Sequence, residues 1–399
     1  MTRSSTMLQR KFRQTLVGFC VLACSLASTC LGAQSTHEDA KVVSGDTPTD
    51  PGPLATDVSP TLTIEAVKAA MRRVGDWQVA RIANTPGRTE WFGALYLGLL
   101  SASATLHEPR YRDVVLNAAE HFNWELGPPK KTSADSQTIG QVYLQLNELK
   151  PDPQHLESIR TQFENLLETP DDPAKPVWWY CDALFMAPPT WAGLAVQTHD
   201  PRYLAYLNRE WQATDRLLWD PESHLFLRDA TYLDKRDKNG NKIFWSRGNG
   251  WDMAGLVDLL NQIPAKDPHR AFYRKRLQQM SASLARLQGE DGLWRSSLLD
   301  AADYPAPEIS GSAFYIYAMA WGLNHKLLKA NVYGPVVERG WAGLTRQIYA
   351  DGRLGNVQPG GSGPAVYPPG SSWVFGTGAF LLAGSEVAEW AEHSSSAKR

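Results

Sequence analysis

The stretch Ala183–Leu218, "ALFMAPPTWAGLAVQTHDPRYLAYLNREWQATDRLL", contains the two kinds of helix that decide the fold. Up to Thr198 it is apolar and rich in small residues on nearly every side, as in a helix buried all round. From Pro201, a residue suited to the first helical position, apolar side chains recur three or four apart, as in a helix that covers a core with one face. A buried helix followed by a covering helix makes one unit.

The unit repeats. "HEPRY" places Pro109, "KPDPQHL" places Pro153, "KDPHRAFY" places Pro268 and "VYGPVVERG" places Pro335, while Pro60 precedes "TLTIEAVKAAMRRVGDWQVAR". With Pro201 these predict six amphipathic helices, each begun near a proline. Between them lie the apolar segments "WFGALYLGLLSASATL", "SQTIGQVYLQLNEL", "ALFMAPPTWAGLAVQT", "GNGWDMAGLVDLL", "SGSAFYIYAMAWGLNHKLL" and "FGTGAFLLAGSEVAEWAEH". Six of each, alternating, predict an all-α chain closed into an (α/α)6 barrel over 61–392, apolar helices inside. Repeat starts lie roughly 45 residues apart early and roughly 65 apart later, so the later loops are longer. One of these, "HLFLRDATYLDKRDKNGNKIFW", alternates around Asn239-Gly240 and predicts a small β-hairpin inserted within 224–245.

Composition bounds the partners. The 40 basic and 42 acidic residues leave a formal charge of −2, which points away from nucleic acid and anionic membrane surfaces. Fifteen Trp and fourteen Tyr suit sugar stacking as well as a large core. The first residues, with Arg10, Lys11 and Arg13 before an apolar run, read as a signal peptide over 1–33, ahead of a lipoprotein signal, and imply a secreted or periplasmic protein. Its removal takes Cys20, Cys24 and Cys30 and leaves Cys181 alone, so neither a disulfide framework nor a zinc cluster is expected. No later segment is apolar for long enough to span a bilayer. Residues 34–60 read as a disordered linker and 393–399 as a flexible tail; a monomer or homodimer is expected.

In such a ring the N-termini of the inner helices meet at one mouth. The residues placed there are polar: Glu90 and Trp91; Asp135, Ser136 and Gln137; Trp179 and Asp182; Arg247, Asn249 and Trp251; Ser310 and Ser312; Ser372 and Trp373. Each could be a helix cap; together they outline a sugar site, and the helix dipoles with Arg247 favour an anionic ligand. Asp182 stands out, a carboxylate within "VWWYCDALFMAPPTW". Either it caps the helix that follows, or it is an acid whose pKa is raised by the apolar wall of Trp178, Trp179 and Phe185.

The segments "WWYCDALFMAPPTW", "FWSRGNGWDMAGLVDLL", "DSQTIGQVYLQL" and "SGSAFYIYAMAWGL" resemble glycoside hydrolase families 88 and 105, the unsaturated glucuronyl and rhamnogalacturonyl hydrolases, over about residues 63 to 391. The resemblance implies hydration of the C4=C5 enol ether of a 4,5-unsaturated uronic acid at the non-reducing end of a lyase product, rhamnogalacturonan-like first. It implies Asp182 as the catalytic acid and then base, and Asp135 as the second mouth carboxylate that binds sugar hydroxyls and tunes it. Arg247 and Trp251 fall on substrate-contacting positions, and Trp91, Trp179, Ser312 and Trp373 complete the expected substrate contacts. No metal and no organic cofactor is implied. Two positions depart from the family pattern: Arg228, in "HLFLRD", stands where many relatives carry His, with His224 shifted, and Lys175 is displaced from a lysine that some relatives carry. Arg228 is therefore either a contact to carboxylate or sulfate or a hairpin ion pair.

Three rivals remain at this level. An inverting hydrolase would use Asp135 and Asp182 as base and acid on saturated glycans. A sugar isomerase would want histidines at the mouth, where His121 and His325 do not fall. A non-catalytic oligosaccharide-binding protein would have no need of Asp182.

Overall fold

The computed structural model describes residues 43–127, 133–169 and 176–396. The expected signal peptide and Lys175 lie outside them. The chain runs β1 (Gly45–Asp46), α1 (Ile64–Ile82), α2 (Glu90–Leu106), α3 (Pro109–His121), α4 (Ala134–Leu149), α5 (Gln154–Leu167), α6 (Ala183–Met186), α7 (Pro188–Thr198), α8 (Pro201–Leu218), β2 (Trp219–Asp220) and β3 (Leu225–Phe226). It continues with α9 (Ser246–Gln262), α10 (Arg270–Arg286), α11 (Ile309–Asn324), α12 (Ala330–Thr345), β4 (Ser372–Trp373) and α13 (Val374–Ser396).

The expected (α/α)6 barrel is what forms. Helices α2, α4, α6–α7, α9, α11 and α13 pack in that order, and α13 returns to α2 to close the ring. Around them lie α1, α3, α5, α8, α10 and α12. Burial follows the two sequence patterns: every residue of α11 from Ile309 to Leu323 is buried, whereas α8 buries Tyr203, Tyr206, Leu207, Trp211 and Leu218 at helical spacing. Small residues in the inner ring are required by close approach. A Cβ on Gly98 would stand 2.5 Å from the Gly378 carbonyl oxygen, and one on Gly255 would stand 2.3 Å from that of Leu184.

Proline marks the outer helices less uniformly than expected. Pro109 and Pro201 stand at the first helical position, but Pro335 lies inside α12, which begins a turn earlier at Ala330. Pro188 divides the third inner helix into α6 and α7.

Three expectations are corrected. The segment expected as a linker is held to the barrel from residue 43 on: β1 pairs with β4, Leu54 bridges Tyr349, and Arg81 reaches Asp46 at 3.0 Å. The β4 and Tyr349 partners stand at the other end of the sequence, so local composition could not announce them. At the other end α13 runs on to Ser396, through the start of the expected tail. The hairpin ladder starts earlier than predicted, Trp219–Asp220 against Leu225–Phe226, and around Asn239-Gly240 only the isolated bridge Arg236–Lys242 forms. Among the described residues no helix is long and apolar enough to cross a membrane.

Candidate active site

Asp182 occupies the N-cap position of α6, yet its side chain caps nothing. The capping explanation for a carboxylate in this apolar stretch therefore fails. Its Oδ1 accepts instead from the Cys181 thiol at 3.2 Å. The preceding strand-like residues fix its surroundings: Tyr180 bridges Asp229, and the Cys181 N–H donates to the Arg228 carbonyl at 2.9 Å. This pairing brings Arg228 to the mouth, where its guanidinium lies 5.6 Å from the Trp179 ring and 5.8 Å from the Tyr180 ring. Arg228 pairs with Asp229 through Nη1, while its buried Nε has no partner among the described residues.

Asp135, in the first turn of α4, accepts from the Tyr180 hydroxyl at 2.6 Å. Glu90 opens α2. Burial pushes the pKa of Asp182 up; the Cys181 thiol, Arg228 and Arg247 oppose that rise and Asp135 adds to it. Asp135 is also raised, by burial against the pull of Tyr180 and Arg228. Glu90 is raised to about 7, by burial and then by the charges of Asp135 and Asp182. Three carboxyls thus share one desolvated mouth, and Arg228 acts on two of them.

The aromatic wall follows the expectation in part. Trp179 is 52% exposed and offers a face to solvent. Trp91 and Trp373, both half-buried, meet edge to face at 5.2 Å. Trp251 does not join them: it is 2% exposed and packs between Phe185 and Phe314, centroids at 4.7 and 4.4 Å, as part of the barrel core. Ser312 is fully buried and spends its hydroxyl on the Glu308 carbonyl and the Trp294 N–H. Arg247 is 3% exposed, with Nη1 on the Gln358 and Pro359 carbonyls and Nη2 on those of Pro359 and Gly361. It clamps that loop and holds a positive field over Asp182, in place of the expected free contact with sugar.

"WSRGNGW" therefore works as a hub. Trp245 stacks under Arg247 and bonds Gln358, and Asn249 holds both the N–H and the carbonyl of Phe226 in β3. Gly248 leaves room for the Cys181–Asp182 segment: a Cβ there would be 2.9 Å from Cys181 Sγ and 3.3 Å from Asp182 Oδ1. The N-terminus of α11 is closed to ligand, because the buried Glu308 carboxylate takes the N–H groups of Ser310 and Gly311. His224 lies on Trp219 and reaches Gln279 of α10, an outer helix.

Tyr180 is absent from the expected site, and Glu90 is expected only as one of the polar residues of the mouth. The signal for Tyr180 was its place two residues before Asp182; Glu90 was placed at the mouth, and only its neighbours give it meaning.

The model of glycosyl hydrolase family 88 matches residues 65–391. The chain belongs to this family. As a family 88 member it is a glycoside hydrolase. It is 37% identical over 340 residues, 80% of this chain and 90% of the relative, to an unsaturated 3S-rhamnoglycuronyl hydrolase of Formosa agariphila. It is 31% identical over 371 residues, 84% of this chain and 90% of the relative, to a protein of the same name from an Alteromonas species. Among solved structures, a family 88 glycosyl hydrolase from Bacteroides vulgatus superposes with a TM-score of 0.77 at 32% identity, covering 82% of this chain and 99% of its own.

Proposed function

We propose that this family 88 hydrolase removes a 4,5-unsaturated uronic acid from the non-reducing end of a lyase-generated acidic oligosaccharide, and that the next sugar is a sulfated rhamnose. The observation that carries the chemistry is Asp182 itself, an enclosed carboxyl whose pKa is raised by burial while the Cys181 thiol and Arg228 stand by to hold its anion. It can give a proton and then exist as the anion.

The reaction is a hydration. Asp182 delivers its proton to C4, and the positive charge left at C5 is spread onto the ring oxygen. Water adds at C5 while the Asp182 carboxylate takes one of its protons, so the acid is restored. The hemiketal at C5 then opens, C1 becomes an acyclic hemiacetal, and its collapse expels the hydroxyl of the neighbouring sugar. One water is consumed for each bond broken. Asp135 receives sugar hydroxyls and, when charged, keeps Asp182 protonated to higher pH. Arg228, its side chain partly exposed at the mouth, takes the uronic carboxylate, and Trp179 gives an exposed face for stacking.

The choice of rhamnose rests on the names of the Formosa and Alteromonas relatives, which keep the rhamnose of the first expectation and replace the galacturonan. The leading apolar run supports export, secreted or periplasmic, as part of the same reading.

The test follows the near-ultraviolet band of the conjugated enol carboxylate. Lyase products of a sulfated rhamnose-containing uronan, of rhamnogalacturonan and of a glycosaminoglycan are offered to the protein, with Asp182→Asn as control. Loss of the band with the first substrate, abolished in the variant, is expected. Release of reducing sugar from saturated substrates with the band intact would overturn the hydration.

A further inference from the structure

Asp252 is a second carboxyl behind the mouth, and nothing in the reaction above employs it. It lies on α9, one turn after Gly248 and so on the same helix face. That face presses on the catalytic segment, since Gly248 is the residue against Cys181 Sγ and Asp182 Oδ1. Asp252 is wholly enclosed and, among the described residues, neither of its oxygens makes a hydrogen bond of ordinary geometry. The titratable groups that face it are Asp182, Cys181 and Tyr315 of α11, and the Tyr315 hydroxyl is spent on the Ser246 carbonyl at 2.6 Å. Among the described residues no cation acts on it: burial and then Asp182 push its pKa far above the usual carboxylate range, against the pull of a side-chain hydrogen bond with Cys181. Cys181, also enclosed, stays a thiol, and its single proton points at Asp182. The sulfur is left as an acceptor for a donor on the far side.

We propose that Asp252 is a positioning residue: uncharged, it donates to the Cys181 sulfur, whose thiol donates to Asp182 Oδ1, fixing the orientation of the acid and stabilising its carboxylate. The chain Asp252, Cys181, Asp182 runs from the interior to the mouth and moves no net charge. It rests on the catalytic reading of Asp182. The other groups that act on Asp182 or share its mouth, Arg228 from the loop after β3, Arg247 of α9, Asp135 of α4 and Glu90 of α2, are untouched by changes at 252.

Two measurements test it. In the pH profile of kcat on the unsaturated oligosaccharide, the alkaline limb reports the loss of protonated Asp182. Asp252→Leu removes the donor, so the carboxylate of Asp182 is less stabilised and the limb moves up by about half a pH unit or more. Asp252→Asn, which keeps a donor, returns the limb toward its native place, and Asp252→Leu adds nothing to a Cys181→Ala chain, because the two act through one path. A downward shift with Asn would mean a charged Asp252 and overturn the proposal, as would an unmoved limb with Leu. Independently of turnover, the infrared difference between the native chain and Asp252→Asn at pH 8 should show the carbonyl stretch of one protonated carboxyl. Its absence would overturn the proposal. No turnover by the native chain would overturn the catalytic reading and this claim on it together, whereas turnover with unmoved limbs would overturn this claim alone.

Discussion

The barrel has two ends, and both hold carboxyls with raised pKa. At the mouth these are Glu90, Asp135 and Asp182. At the other end Asp258 and Glu386 are each raised to about 7, in the lining of a cavity of about 720 Å³ that also includes Glu148, Asn261, Gln262 and Tyr317. A raised pKa alone would make both ends candidate sites. The surroundings separate them. Among the described residues the rise of Asp258 is opposed only by the Tyr317 hydroxyl at 2.7 Å, and that of Glu386 only by Asn324, while its neighbours Glu389 and Asp258 add to it. Arg112, in the same lining, is held by Asp113 at 2.8 Å. Asp258 also stands one turn from the C-terminus of α9, where the dipole disfavours an anion. At the mouth the helix N-termini and Arg228 favour it. An acid that must return as a base within one turnover needs both a reason to hold its proton and a partner for the anion, and only the mouth supplies the second.

The largest expected contrast comes from removing one carboxyl at each end. Asp182→Asn should lower kcat on the unsaturated substrate by about 10³-fold or more, ~4 kcal/mol, since the proposed acid and base are the same group. Asp258→Asn, which can still accept from Tyr317, should leave kcat within about twofold. Steady-state rates from the absorbance assay decide, and equal losses at both ends would break the comparison. Removing the cation comes next. Arg228→Met should cut kcat/KM by about 10- to 100-fold, from loss of a charged hydrogen bond worth ~2 kcal/mol, and move the alkaline limb of kcat upward because Asp182 loses an opposite charge. A fall in kcat/KM with a fixed limb would confine Arg228 to substrate binding.

The far end should declare itself in stability instead. Glu386 has a folded pKa of about 7 against an ordinary 4.5, so between those values the unfolded chain gives up a proton that the folded chain keeps. Stability is fully present below about pH 4.5 and is lost as pH rises through 7. Glu386→Gln should accordingly be more stable than the native chain by about 2 kcal/mol at pH 8 and no more stable at pH 4, by denaturant titration at the two pH values. A gain that is equal at both would remove the assigned cause.

How much of this contrast could be read from the sequence depends on the range of the interaction. The barrel was legible because burial of α2 or α11 is written in their own residues, and so was Asp182, a charge in an apolar run. The roles of Arg247, Trp251 and Ser312 were not. Their types suit a sugar site, but the 358–361 carbonyls that hold Arg247, the Phe314 ring against Trp251 and the Trp294 N–H on Ser312 arrive from other parts of the chain. The same holds for residues 43–60, whose pairing with β4 and Tyr349 is wholly non-local. Asp252 could have been found by the argument that found Asp182, since "GWDMAGL" also places a lone carboxylate in an apolar helix.

The smallest expected effect tests whether the mouth carboxyls act as a group. Glu90 is raised to about 7 by burial and then by Asp135 and Asp182, and the interaction is reciprocal, so a charged Glu90 disfavours the anion of Asp182. Above pH 7, where Glu90 ionises, Glu90→Gln removes that repulsion and the pKa of Asp182 falls. The alkaline limb of kcat should move down by about half a pH unit, opposite in sign to Arg228→Met, with kcat on the acid side nearly unchanged because Glu90 is uncharged there. Glu386→Gln, an equally raised acid at the other end, should leave the limb in place. Limbs that shift together in both variants would mean that the field of the whole barrel, and not the arrangement of its mouth, sets the proton affinity of Asp182.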